Sequence, residues 1–242
     1  MDIAPEKSAD ALERAPSAGA CELPSLRVRP SARFPRKGWL PTTGPVDWIA
    51  QYHTPGIGFV LRRRLAWVAG QLPTSAGAVL EIGYGSGVFQ YELARRTHRA
   101  VGIDVHDKGA VVRDQLRKDG IDVALLQASG VTLPFRDRSF DAVVVVSALE
   151  FMPDPGGCLA EARRVLHPGG RFVCLRPREL KWADAIFRAL TGSSPEDEFA
   201  GGRARVQQAI ATRAPDGRRL PRPRGVPRFL APYELLVFDV PA

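Results

Sequence analysis

One stretch, Val79-Leu80-Glu81-Ile82-Gly83-Tyr84-Gly85-Ser86-Gly87, constrains this chain more than any other. A short apolar run that ends in closely spaced glycines reads as a buried strand turning into a helix. The glycines permit backbone conformations closed to other residues and let a ligand approach the main chain. In a doubly wound α/β sheet, the carboxyl end of the first strand is where such a ligand sits. The dinucleotide fingerprint G-x-G-x-x-G would need its third glycine at position 88, where Val88 stands, so a nicotinamide-linked oxidoreductase is disfavoured. No Gly-Lys-Ser/Thr follows, which excludes a nucleotide triphosphate loop. Glu81, two residues before Gly83, would repel a phosphate and attract a positively charged ligand group.

The surrounding chain alternates as such a sheet requires. Apolar runs at Ala78 to Ile82, Ala100 to Asp104, Val123 to Leu126, Phe140 to Ser147 and Arg171 to Leu175 predict five strands. Helical spacing separates them at Val88 to Thr97, Ala110 to Lys118 and Asp154 to Leu166, with a turn at His167-Pro168-Gly169-Gly170. Asp119-Gly120 suits a left-handed helix end. Strands that are apolar on both faces, joined by helices, point to a parallel sheet covered on both sides. Upstream, Val46 to Val68 predicts one or two amphipathic helices broken near Pro55-Gly56. Downstream of Pro177 the pattern is less regular. Helices are expected at Leu180 to Leu190 and Arg203 to Thr212, and a last strand at Tyr233 to Val240.

Composition narrows the classes. With 242 residues and 45% hydrophobic content, the chain can build one substantial core. Residues 1–44, rich in Ala, Pro, Ser and Arg, read as a disordered extension, and residues 45–242 as one domain. Its motif core spans residues 77–176, and residues 177–242 form the substrate-specific part. No apolar run is long enough to span a bilayer and the N-terminus lacks a signal pattern, so a cytoplasmic protein is expected. The cysteines, Cys21, Cys158 and Cys174, have no metal-like spacing, so no metal site is expected. The net charge is +8, with arginine clusters at Arg27 to Lys37, Arg62-Arg63-Arg64 and Arg203 to Arg228. These read as a solvated face or, alternatively, as a footprint for nucleic acid. Asp104, ending the second strand one βα unit after the glycine loop, is placed to accept hydrogen bonds from two ribose hydroxyls.

Taken in order, these landmarks resemble class I S-adenosylmethionine-dependent methyltransferases of the small-molecule branch. Val79 to Gly87 and Val101-Gly102-Ile103-Asp104 look like the first two motifs. Leu133-Pro134-Phe135 with Ser139-Phe140-Asp141-Ala142-Val143 is similar to the lead into the fourth strand, and Leu166-His167-Pro168-Gly169-Gly170-Arg171-Phe172 resembles the turn before the fifth. The resemblance implies a Rossmann-like seven-stranded sheet, mostly parallel, with an antiparallel last strand. It implies S-adenosyl-L-methionine as cofactor, its methionine end against Glu81, Gly83, Tyr84, Gly85 and Gly87. The ribose would lie against Asp104 and Val105, and Ser147, Ala148 and Leu149 would pass beneath the methionine. Where the family often has an acid for the adenine amino group, this chain has Ser129 beside Gly130, and a serine hydroxyl can accept the same bond.

Methyl transfer from a sulfonium is an in-line displacement, so the protein mainly holds nucleophile and methyl at roughly 3–3.5 Å and excludes water. A general base matters for a neutral alcohol or phenol and less for an amine or thiolate. The candidate bases are His53, Tyr52, His106 and Glu150, although each can equally serve only to shape the pocket. After the fourth strand, Ser147 to Pro153 lacks the Asn/Asp-Pro-Pro-aromatic pattern of nucleobase amine methylation, and no Pro-Cys pair is present. A small-molecule acceptor bound under residues 45–66 and 178–232 is therefore expected. An RNA or ribosomal methyltransferase and a non-catalytic S-adenosylmethionine-binding module are the alternatives. The sequence leaves the oligomeric state open.

Overall fold

The computed structural model describes residues 34–44, 47, 49–74, 76–192, 194–221, 227 and 231–242. Five strands run parallel at its centre: β1 (Ala78–Ile82), β2 (Arg99–Asp104), β3 (Ala124–Gln127), β4 (Phe140–Val146) and β5 (Leu166–Pro177). β6 (Arg218–Leu220) and β7 (Tyr233–Asp239) complete a seven-stranded sheet in the order β3-β2-β1-β4-β5-β7-β6. β7 runs antiparallel to both β5 and β6. This is the expected doubly wound architecture with an antiparallel last strand. The order reverses between β1 and β4, and the crevice above that reversal is where the fold admits a ligand.

The valine-rich β4 shows why both sheet faces are covered. Val144 packs into a core with Leu61, Leu65, Val112, Leu116, Val173 and Val237. Val143 and Val145 point the other way, into a core with Leu80, Leu159, Cys174, Val206 and Phe238. The first core lies under α1 (Ile57–Ala69), α2 (Gln90–Leu93) and α3 (Gly109–Lys118). The second lies under α4 (Pro155–Val165) and α7 (Gly202–Arg213). Strand periodicity of two thus sorts the same run of valines onto two faces. Cys158 and Cys174 are buried free thiols, whereas Cys21 lies outside the described residues.

Several boundaries differ from the sequence reading. The helix expected over 88–97 is only the short α2, because Glu92 N bonds Phe89 O and Arg96 N bonds Leu93 O, tight turns that end the α geometry. The expected turn at 167–170 is part of β5. Gly169 N donates to Val240 O and Val240 N donates to Gly170 O, so the two glycines extend the sheet, and Gly169 takes a φ of +77° there. A 3₁₀ turn at Ala50–His53 precedes α1, with the break at Pro55-Gly56 as expected. α5 (Lys181–Thr191) and α7 fall where helices were expected, while α6 (Pro195–Phe199) and β6 were not anticipated. α6 carries a start signal that was legible, Ser194-Pro195-Glu196-Asp197, with Ser194 Oγ accepting from Asp197 N.

Residues 34–44, expected within a disordered extension, have structure of their own. Leu40 is buried, Lys108 Nζ donates to Thr42 O at 2.9 Å, and Lys118 lies over the Trp39 ring. The rest of that extension, residues 1–33, lies outside the described residues, as do several arginines of the cluster from 203 to 228.

The cavity floor is set where α7 starts against the 3₁₀ turn Leu149–Phe151. A Cβ on Gly202 would lie 1.8 Å from the Glu150 carbonyl oxygen, a contact that backbone must move to relieve. Gly202→Ala is expected to destabilise the protein by about 3 kcal/mol, the upper range for overpacking. Chemical denaturation checks this, and a change below about 1 kcal/mol, the lower bound of that range, would show that α7 can shift freely.

Candidate functional site

The glycine loop is fixed between β1 and β2 by its own backbone. Gly83 N donates to Ile103 O at 2.8 Å, and Gly85 N donates to Asp104 Oδ2 at 2.8 Å. Asp104 Oδ1 accepts from Val105 N at 2.7 Å. Gly83 has a φ of +80°, and a Cβ there would lie 2.5 Å from that of Ala148 at the end of β4. Gly87 serves a different purpose from the one expected of it. A Cβ on Gly87 would lie 2.8 Å from Val112 Cγ1, so this residue faces α3 and does not border the cavity. It permits close packing of loop against helix.

His106 belongs to the same latch and is corrected as a base candidate. Its Nε2 is 3.1 Å from Gly85 O, and its Nδ1 accepts from Lys108 N at 3.1 Å. With one nitrogen donating and the other accepting, the neutral ring has no lone pair left for an acceptor proton. Its ring stands edge-on to Tyr84, with centroids 4.9 Å apart.

Glu81 is 2% exposed, and its carboxylate accepts a hydrogen bond from the side chain of Gln90, itself fully buried. Burial pushes the Glu81 carboxyl up to about 8, against the hydrogen bond from Gln90 and with the help of the Asp104 charge. Gln90 was not singled out from sequence. The available signal was a polar residue among Val88, Phe89, Tyr91 and Leu93, all buried or half-buried.

Opposite the loop, the N-terminal segment forms a cover. Asp47 accepts from Thr43 N at 2.9 Å and from Ile49 N at 3.0 Å, and its Oδ1 is 3.5 Å from Ser86 Oγ. Tyr52 is buried, and its hydroxyl accepts from Arg64 Nη2 at 2.8 Å. Burial raises its pKa despite Arg64, so it too is a poor base at neutral pH. Arg64 also donates to Ser147 Oγ at 3.2 Å and lies over the Tyr233 ring at 4.8 Å, while its buried Nε has no partner. The sequence reading had placed Arg64 in a surface cluster. The helix instead turns Arg62 and Arg63 outward and Arg64 into the cavity. His53 is corrected as well, because it packs edge-on against Phe34 and does not border the cavity.

A cavity of about 1090 Å³ joins these groups. Its inner end is bordered by Glu81, Gly83, Tyr84, Gly85, Asp104 and Val105, with Ser129, Gly130, Ser147 and Ala148 nearby. Ser147 holds a φ of +53°, uncommon for serine, with its N–H bonded to Leu175 O. Leu149 is fully buried in the second core and does not border the cavity. The outer end is apolar, bordered by Phe59, Val60, Phe151, Trp182, Ile186 and Phe199. Glu150 touches this end but is fully buried and paired with Arg176, its Oε1 3.3 Å from Nε. Burial raises its pKa against the pull of Arg176. It acts as a counter-ion within the wall, which corrects it as a base candidate. Among the described residues no cluster has metal-ligand composition, and no helix is long and apolar enough to cross a membrane.

Residues 80–174 match a family model described as a methyltransferase domain. The ubiquinone/menaquinone biosynthesis C-methyltransferase UbiE of Rickettsia massiliae is 32% identical over 120 residues, 46% of this chain and 48% of that protein. The chain therefore spans about half the length of the curated relatives it matches. Among solved structures, the N-methyltransferase NodS from Bradyrhizobium japonicum WM9 in complex with S-adenosyl-l-homocysteine aligns with a TM-score of 0.54 at 19% identity. That alignment covers 79% of this chain and 95% of NodS. The [4+2]-cyclase SpnF aligns with a TM-score of 0.50 at 23% identity, over 74% of this chain and 80% of its own. These two likenesses concern the fold.

The raised pKa of Glu81 has a stability consequence. Between the ordinary 4.5 and about 8, the folded protein keeps a proton that the unfolded chain has released. The unfolded state then binds fewer protons, so this group's contribution to stability falls as pH rises through that window. Glu81→Gln removes the effect. The melting temperature of the variant is expected to gain on wild type from pH 5 to pH 8, by scanning calorimetry. A difference that stays constant across that range would show that Glu81 ionises normally.

Proposed function

We propose that the chain carries a class I S-adenosylmethionine-dependent methyltransferase domain and transfers a methyl group from this cofactor to a small-molecule acceptor. The observation that carries this reading is the pairing of Glu81 with Arg64 on one cavity. A buried carboxyl without a cation and a half-buried arginine whose enclosed Nε has no hydrogen-bond partner suit the two charges of an α-amino acid. In this reading Glu81 receives the ammonium and Arg64 the carboxylate of the methionine end. Asp104 keeps lone pairs beyond those used by Gly85 N and Val105 N, and these suit ribose hydroxyls. Val105, Ser129 and Gly130 border the adenine side, and Gly83, Tyr84 and Gly85 line the loop side. The bound cofactor supplies an electrophilic methyl group on a sulfonium.

The protein's own contribution is positioning. Of the four candidate bases, His106 is locked in the loop, His53 lies off the cavity, Tyr52 is held by Arg64, and Glu150 is paired with Arg176. Such a site suits an acceptor that is already nucleophilic, held near the methyl group with water excluded. Residues 45–242 act as one domain in this reading, with the cover from residue 34 closing over the loop and residues 177–242 building the acceptor side. The RNA alternative keeps the exposed Arg62, Arg63, Arg213, Arg218 and Arg219, whereas Arg203 is held by Asp184 and Arg64 faces the cavity.

The test is thermal stability with S-adenosylhomocysteine. At one hundred times its dissociation constant the ligand should add about 2.7 kcal/mol, and Asp104→Ala should reduce the shift. No shift at saturation for wild type would overturn the cofactor assignment. Turnover of methyl-labelled cofactor with candidate acceptors separates a transferase from a binding module.

Arg64→Gln separates the ends of the ligand. Its affinity for S-adenosylhomocysteine should fall about tenfold or more, as for loss of a charge-assisted hydrogen bond. Its affinity for methylthioadenosine, which lacks the amino acid portion, should not change. Equal losses for both ligands in calorimetric titrations would remove Arg64 from the methionine end.

A further inference from the structure

We propose that the outer half of the cavity is a binding site for the hydrocarbon body of a lipophilic acceptor, one long enough to lie across the cavity rim. This rests on the reading of the inner half as the cofactor site. The argument starts from where apolar surface remains exposed. Among the described residues, the large hydrophobic side chains left open to solvent are Phe59, Val60, Val105, Val111, Phe151, Trp182 and Ile186, between 41% and 70% exposed. Scattered singly, such residues need no explanation. Here all except Val111 border one cavity, Val105 on its cofactor side and the other five together at its outer end, and exposed apolar groups gathered at an opening mark a ligand site.

Two helices build this rim. On α1, Phe59 and Val60 lie in the first turn, and on α5, Trp182 and Ile186 share a face through their spacing of four. Behind them, Phe199 is buried, with Phe151 edge-on to it at 5.1 Å and Phe187 at 6.0 Å. The charged groups bordering this half are engaged in the wall. Asp184 binds Arg203 at 2.8 Å, and the guanidinium of Arg203 lies over the Phe199 ring. Arg178 Nη1 donates to Ala231 O at 3.0 Å, and Glu150 faces Arg176. A polar acceptor would find few hydrogen-bond partners there, whereas a hydrocarbon chain or apolar ring system would lose water on all sides. Tyr52, Arg64 and Ser147, joined by hydrogen bonds, border the same cavity, so the reactive end of such an acceptor would be its polar end. The rim would hold its apolar remainder.

The experiment uses the full chain saturated with S-adenosylhomocysteine and the neutral apolar fluorophore N-phenyl-1-naphthylamine. Saturable binding of the probe is expected, with displacement by straight-chain alcohols strengthening about threefold to fourfold per added methylene until the rim is covered. Ile186→Asp and Phe59→Asp should each weaken probe binding about tenfold or more. Both positions are exposed, so folding should survive, and an unchanged thermal shift with S-adenosylhomocysteine verifies it. Probe binding that does not saturate, that ignores both substitutions, or that shows no dependence on alcohol length would overturn the proposal. Loss of the thermal shift in wild type with probe binding intact would instead overturn the cofactor reading and leave the hydrocarbon site standing.

Discussion

The parallel register between β1 and β2 is the constraint from which the site follows. It aligns Ile82 with Ile103 and so brings the ends of both strands level, with the glycine loop leaving one and Asp104 ending the other. Asp104 then reaches back to Gly85 N, and His106 reaches back to Gly85 O. Loop and acid are thus each other's scaffold. A substitution that disturbs one is transmitted to the other through a hydrogen bond, without any change in the sheet.

Glu81 shows what such a scaffold must withstand. A carboxyl at 2% exposure, with Asp104 nearby, is unfavourable wherever only folding matters. Gln90 offsets part of this with a single hydrogen bond. The surrounding core, with Val79, Leu80 and Ile82 all buried, supplies the stability that makes the arrangement tolerable. Stability is lost locally at the position where ligand recognition is proposed.

The sheet and its loop were legible in the sequence because strand and helix periods differ and because glycines punctuate their junctions. Valines at 143 to 146 declared a doubly covered strand, and Gly83 a close approach. The cover was harder to read. Phe34, Trp39 and Leu40 sit in a segment without a sustained period, and only their contacts with the domain reveal their role. Arg64 was hidden for a different reason. Three consecutive arginines look alike in sequence, and only the helix phase, with Leu61 and Leu65 inward, decides which one faces Tyr52 and Tyr233. His53, His106 and Glu150 failed as bases through hydrogen-bond or ion-pair partners and packing distant in sequence, which no local pattern displays.

The position of β7 between β5 and β6 bears on how the chain acquires this structure. β5 is complete at residue 177, yet the neighbour on its outer edge is supplied by residues 233–239. Until that later segment arrives, the backbone donors and acceptors along the outer edge of β5 face an open side, and Phe172 cannot stack on Phe238 at 4.6 Å. β6 has no seat in the sheet before β7 is in place. The β5–β7 pairing is therefore one of the sheet's long-range closures, comparable in sequence separation to the pairing of β1 with β4, and such non-local pairings are the ones that slow folding.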